Sequence, residues 1–157
     1  MDERLFRNTM GKFATGVTVI TTEHEGQIHG MTANAFMSVS LDPKLVVISI
    51  GQNARCLLKI QDSKVFAVNI LANNQQDISM AFAGQKKDEV EFEFERLADL
   101  PVLPDVVAQV SCDVVSEHVE GDHTLFIGKV RDIHLDEEKD PLLFFEGKYR
   151  TLQTVKV

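Results

Sequence analysis

Between Gly30 and Arg55 the chain collects residues that could hold a flat, anionic ligand. Gly30-Met31-Thr32-Ala33-Asn34-Ala35-Phe36-Met37-Ser38-Val39-Ser40 mixes small and hydroxylic residues where a barrel strand ordinarily carries bulk. Short side chains let a ring approach the backbone, and exposed N–H groups and hydroxyls then bond its edge heteroatoms. Ser49-Ile50-Gly51-Gln52-Asn53-Ala54-Arg55 closes an apolar strand and opens a helix. A helix N-terminus presents unpaired N–H donors and the positive end of its dipole, which suits a phosphate. Arg55 adds a planar cation of bidentate geometry. On spacing alone, an ordinary strand–turn–helix with a surface arginine is the stronger reading.

Other chemistries are not written in the sequence. No GxGxxG follows a strand, so a dinucleotide-binding phosphate turn is not visible, and no GxSxG elbow marks a hydrolase. Gly11-Lys12-Phe13-Ala14-Thr15-Gly16 has phosphate-loop glycine spacing but is followed by Val17-Thr18 instead of Lys-Ser/Thr, and reads as a helix end with a glycine stop. His24, His29, His118, His123 and His134 form no compact ligand pair. All of them except His123 read as solvated or structural. In Gly121-Asp122-His123 the histidine itself reads, from sequence alone, as a surface-turn residue. Cys56 and Cys112 are too few for a disulfide framework and lie in no CxxC. They read as reduced thiols, with Cys112 buried in a strand.

The elements that must position these residues are mostly strands. Residues 2–14 predict a helix with Asp2 as N-cap and an apolar face of Leu5, Phe6, Met10 and Phe13, ending at Gly16. β-Branched Val17 to Thr22 predicts a strand that returns through Glu25-Gly26 to a second, Ile28 to Ala33. Strands are expected at 36–41 and 45–50, the latter buried on both faces, with Asp42-Pro43 between them. A helix over 53–62 turns Leu57, Leu58 and Ile60 inward, a strand covers 65–70, and a short helix covers 77–82 before Gly84. Val90, Phe92 and Phe94, alternating with Glu91, Glu93 and Glu95, predict a half-buried edge strand. Ala108 to Val119 and Thr124 to Leu135 form a pair, and 142–145 and 149–152 finish the chain.

Seven or eight strands in hairpin-like succession, with two or three short helices, disfavour a doubly wound parallel sheet. They predict a mainly β fold, an antiparallel barrel with a few short helices, as one domain over 1–157. Sixteen basic residues against 24 acidic ones give a net charge of −8. Lys86-Lys87 is the one adjacent pair of lysines or arginines. That balance argues against nucleic acid and against anionic membrane surfaces. Absence of a signal-like h-region and of a spanning apolar run predicts a soluble, cytoplasmic protein.

Six stretches, in order, resemble the short-chain flavin reductases. They are Gly16 to Thr22, Gly30 to Pro43, Phe66 to Leu71, Phe82-Ala83-Gly84, Gly121 to Gly128, and Pro141 to Tyr149. The likeness lies towards the reductase components of two-component phenol and 4-hydroxyphenylacetate hydroxylases. It implies a Greek-key split barrel, a homodimer, and FAD or FMN in a groove near the dimer interface. It further implies reduction of that flavin by NADH and its release to a separate oxygenase component.

Carried over residue by residue, the resemblance places Thr32, Ala33 and Asn34 beside the flavin ring and ribityl chain, with the hydroxyls of Ser38 and Ser40. Ser49, Ile50 and Gly51 match the second flanking strand, and Asn53, Ala54 and Arg55 the phosphate turn. Phe82, Ala83 and Gly84 match a loop near the flavin, and Tyr149 a C-terminal aromatic close to it. His123 matches a histidine near the nicotinamide. Cys56 departs from the family pattern, where Ser or Thr is common. A flavin-binding electron carrier or sensor of the same fold, without its own NADH oxidation, is the competing reading.

Overall fold

The computed structural model describes residues 1–84 and 92–156. In chain order its elements are α1 (Glu3–Met10), β1 (Thr15–Gly16), β2 (Thr18–His24), β3 (Gln27–Ala33), β4 (Phe36–Leu41), β5 (Lys44–Gly51), α2 (Arg55–Ser63), β6 (Val65–Ile70), α3 (Gln76–Phe82), β7 (Glu95–Leu97), β8 (Leu100–Val102), β9 (Ala108–Glu120), β10 (His123–Leu135), β11 (Leu143–Phe145) and β12 (Lys148–Arg150).

Seven strands form one antiparallel sheet in the order β3-β2-β6-β9-β10-β5-β4. Its two edge strands, β3 and β4, are consecutive in the chain and joined by Asn34-Ala35 alone. Three Cα–Cα steps reach about 11 Å at most, so the two edges must meet at that end. They do not pair with each other. The sheet therefore curls into a barrel that stays split between β3 and β4. After β5 the path crosses through α2 to lay β6 beside β2, and the β9–β10 hairpin closes the gap to β5 in Greek-key fashion. β1 pairs with the β11–β12 hairpin in a small second sheet, and β7 pairs with β8.

The barrel core is Ile20, Ile48, Ile50, Phe66, Val68, Cys112 and Phe126, closed by Cys56, Leu57 and Ile60 of α2. β2 is central enough that Thr18 to Thr22 are all buried. Its threonine hydroxyls are satisfied: Thr18 donates to the Ala33 carbonyl, Thr21 to Pro101 and Thr22 to Val65. A second cluster of Val17, Val19, Leu71, Leu103, Val106 and Leu142 lies under α3 and the C-terminal hairpin. This layer is the floor on which the site is built.

Several expectations are corrected. α1 stops at Met10, capped by Asp2 at its start and Gly11 at its end, and its apolar face is not buried. Phe6 is 54% exposed and Phe13, beyond the helix, 80%. In β4 a bulge between Ser38 and Ser40 interrupts the alternation; Phe36 packs on the core, while Met37, Val39 and Leu41 are all exposed, Leu41 by 81%. β5 is fully buried on one face only, through Val46, Ile48 and Ile50; Leu45, Val47 and Ser49 are half-buried. Leu58 points to solvent, and Cys56 takes the inward position instead. Of the acidic stretch, Val90 and Glu91 lie outside the described residues, as does the Lys86-Lys87 pair. Phe92 and Phe94 form no strand and pack as rings against Phe82. No helix among the described residues is long and apolar enough to cross a membrane.

Gly128 sits where the β9–β10 register shifts, and a Cβ there would lie 2.5 Å from Phe66 Cζ and 2.9 Å from Cys112 Cβ. Gly128→Ala is expected to destabilise the fold by about 1–3 kcal/mol through overpacking. A urea midpoint equal to that of the wild type would refute this account of the contact.

Candidate functional site

Small residues open a groove along the free side of β3. A cavity of about 310 Å³ is lined by Thr32, Ala33, Asn34, Ser79, Ala83 and Tyr149, with Val17, Phe144 and Gly147 completing it. Because β3 pairs with β2 alone, its outer backbone polar groups face away from any ladder. Edge groups of this kind must find other partners.

One small network sets the walls. The Thr32 hydroxyl donates to the Ser79 carbonyl at 2.6 Å, and the Ser79 and Tyr149 hydroxyls share a hydrogen bond of 2.8 Å. These bonds lock α3 and β12 against β3. Tyr149 also stacks edge-on with Phe144, ring centroids 5.3 Å apart. Gly147 (φ +73°) would project a side chain into open space, so glycine there keeps the groove wide and meets the left-handed backbone.

Through Ala83 the groove continues into a cavity of about 500 Å³ lined by His29, Gly30, Ala54, Arg55, Cys56, Phe82 and Gly84, among others. Gly30 admits the Phe82 ring, since a Cβ at that position would come 2.6 Å from Phe82 Cε1. Phe82 in turn rests against Phe92, centroids 4.2 Å apart. Ala54 is the N-cap of α2 and offers no side-chain oxygen to its first amides. The Leu57 N–H bonds the Ala54 carbonyl, and those of Arg55 and Cys56 remain available for an anion, with the exposed Arg55 side chain beside them. His29 has a buried Nε2 without a partner. Burial holds its pKa down, helped by Lys59 and His24, so the ring is neutral.

At the other end, Asn34, Phe144 and Gly147 also line a wider cavity of about 730 Å³, together with Phe6, Arg7, Met10 and His123. His123 Nδ1 is 2.7 Å from Asp122 Oδ1. That hydrogen bond holds the Asp122 carboxyl below the usual carboxylate range. In the neutral tautomer that donates Nδ1–H there, Nε2 is the acceptor. Gly51, opposite His123 across the β5–β10 ladder, gives the ring room: a Cβ would lie 3.7 Å from Nε2.

The structure thus brings Thr32, Ala33, Asn34, Ala83 and Tyr149 together, extends them to Ala54, Arg55, Phe82 and Gly84, and reaches His123 through Asn34. It does not bring Ser38 or Ser40, on the opposite edge strand, into these cavities. Ser49 and Asn53 do not line them either, and Ile50 points into the core. Sequence reading gives no site role to Ser79, Phe144, Gly147 or His29. Gly147 follows a turn glutamate and Phe144 sits in a plain apolar run, so only tertiary placement reveals them.

The site and its split barrel define a flavin-handling fold, and the chain belongs to the flavin reductase-like domain family, whose model matches residues 10–153. Over 152 residues it is 42% identical to an NADH-dependent flavin reductase of Rhodococcus, covering 94% of this chain and 85% of that one. It is 33% identical over 147 residues to the reductase component of 4-hydroxyphenylacetate 3-monooxygenase of Thermus thermophilus, covering 94% and 95%. Among solved structures it is similar to the flavin reductase PheA2, at 64% identity and a TM-score of 0.96, covering 98% of this chain and 100% of that one.

Burial pushes the Cys56 thiol up to about 11. It pushes Cys112 up to about 12, with Asp113 adding to the shift and Arg131 opposing it. Because the folded state favours the neutral thiols, their stabilisation is complete below pH 9 and is lost as pH rises from there towards 11–12. At pH 8 the native protein is expected to be inert to a thiol-disulfide reagent, with both cysteines reacting in urea. Rapid labelling of the native protein would show that the cavity wall at Cys56 opens.

Proposed function

We propose that this chain is a cytoplasmic NADH-dependent flavin reductase that supplies reduced FAD or FMN to the oxygenase component of a two-component aromatic monooxygenase. The observation that carries the reading is the groove itself, a narrow cleft on an open strand edge. One of its ends is an uncapped helix N-terminus, and the other is a wider cavity holding an oriented histidine. The residues present fit a flavin. The β3 edge at Thr32–Asn34 supports the isoalloxazine with backbone donors, and the small side chains of Ala33 and Ala83 leave it space. The amides of Arg55 and Cys56 and the Arg55 guanidinium would hold phosphate.

A bound flavin supplies the two-electron acceptor. It would take a hydride from NADH, which is oxidised as the flavin is reduced, so the protein needs no strong acid or base. Its work is to align two rings at close range and to place donors where negative charge builds. His123 Nε2 is placed to accept a hydrogen bond from the nicotinamide carboxamide. The resemblance assigns Ser38, Ser40, Ser49, Ile50, Gly51 and Asn53 to the flavin as well; they lie outside the groove, on β4, β5 and the turn before α2.

The homodimer belongs to the same reading. Met37 on β4, paired with the half-buried Val47 of β5, and the exposed Val39 and Leu41 further along β4 leave apolar surface in water. A second copy laid on that face would remove it from water.

NADH and NADPH turnover with FAD, FMN and riboflavin side by side is the direct test. The expected outcome is fast, flavin-dependent NADH oxidation, whereas loss of NADH at the rate of free flavin would favour an electron carrier. Arg55→Ala is expected to weaken flavin binding by about 1–3 kcal/mol, as for a lost charged hydrogen bond, measured by fluorescence titration. His123→Ala is expected to raise KM for NADH or lower kcat with flavin affinity kept. Unchanged steady-state kinetics would remove His123 from the mechanism.

A further inference from the structure

α1 contributes no buried residue to the fold, yet it forms one wall of the cavity that holds His123. Phe6, Arg7 and Met10 line that cavity opposite Asn34 and Phe144. Phe6, Arg7 and His123 also border an adjoining cavity of about 510 Å³, reached past the start of α1. Arg7 therefore stands where the two spaces join.

Its side chain forms no ion pair or hydrogen bond with any described residue. The neighbouring charges are already engaged. Glu146, in the same cavity, is paired with Lys12, Asp122 accepts from His123, and Asp2 accepts from the Arg4 amide. Glu3 is the remaining carboxylate beside it, on the smaller cavity only. An uncommitted guanidinium facing a cleft is a bidentate receptor for a phosphate. Arg55 and the α2 amides lie beyond Ala83 at the far end of the groove, so they serve a different phosphate group.

We propose that Arg7 binds the pyrophosphate of NADH, making α1 a working wall of the dinucleotide site. The proposal rests on the reductase reading above and adds the residue that recognises the donor's phosphates. Arg7 is a binding residue: it fixes the dinucleotide while His123 and Asn34 face the nicotinamide end. The ring-stacking geometry is left to the β3 side of the groove, so kcat at saturating NADH does not depend on the guanidinium.

The test compares two hydride donors, NADH and 1-benzyl-1,4-dihydronicotinamide, which has the same reacting ring and no phosphate. Arg7→Ala should raise KM for NADH about tenfold or more, the loss of one charge-assisted contact. It should leave KM for the benzyl donor, kcat and the flavin dissociation constant within about twofold. Arg7→Lys should recover part of the loss, and the wild-type rise of KM for NADH with added salt should flatten in Arg7→Ala. An unchanged KM for NADH, or an equal rise for both donors, overturns the proposal. Absence of flavin binding and of turnover in the wild-type protein would instead sink the reductase reading beneath it.

Discussion

Ser79 ties together three segments that are far apart in sequence. Its carbonyl takes the Thr32 hydroxyl of β3, and its own hydroxyl meets Tyr149 of β12. It is fully buried in the middle of α3, so an unmet polar group there would be costly. The groove exists because these bonds hold a helix and a hairpin beside an open strand edge without filling it. Were α3 to drift, Phe82 would leave its seat over Gly30 and the two halves of the cleft would no longer be continuous.

The same logic is repeated under the site by Asn69. Its amide donates to the Val19 carbonyl and the Thr21 hydroxyl, while its oxygen accepts the Leu103 amide. One buried side chain thereby joins β2, β6 and the loop after β8, directly beneath the second apolar cluster. Fully satisfied polar groups of this kind fix one arrangement of a core that apolar contacts alone would leave adjustable. The rigid floor contrasts with the periphery, where α1 and the outer face of β4 expose large apolar side chains.

Much of this was legible in the residues. β-Branching at Val17 to Thr22, the Glu25-Gly26 turn and the long pair around Gly121-Asp122 announced strands that the structure shows as antiparallel hairpins. Thr32 to Asn34 and Arg55 stood out by size and chemistry, and they do line the groove. Facing was harder to read. Alternation in Met37 to Leu41 says that one side is apolar, but not whether that side meets a core or another surface. Helical spacing in Leu5, Phe6 and Met10 has the same ambiguity. Ser79 and Gly147 carry no local signal, since their roles arise from contacts with residues some fifty or more positions away.

The two-residue tether between the edge strands has a consequence for how this architecture can vary. Asn34 and Ala35 span the split covalently, so the clearance between its lips is set by backbone length and not by a mobile gate. Inserting or removing one residue here would re-aim Asn34 and change the aperture at a single stroke, at the cost of the bond from the Ser49 N–H to the Ala35 carbonyl. Widening by insertion is thus open to descendants of this chain as a route to bulkier guests.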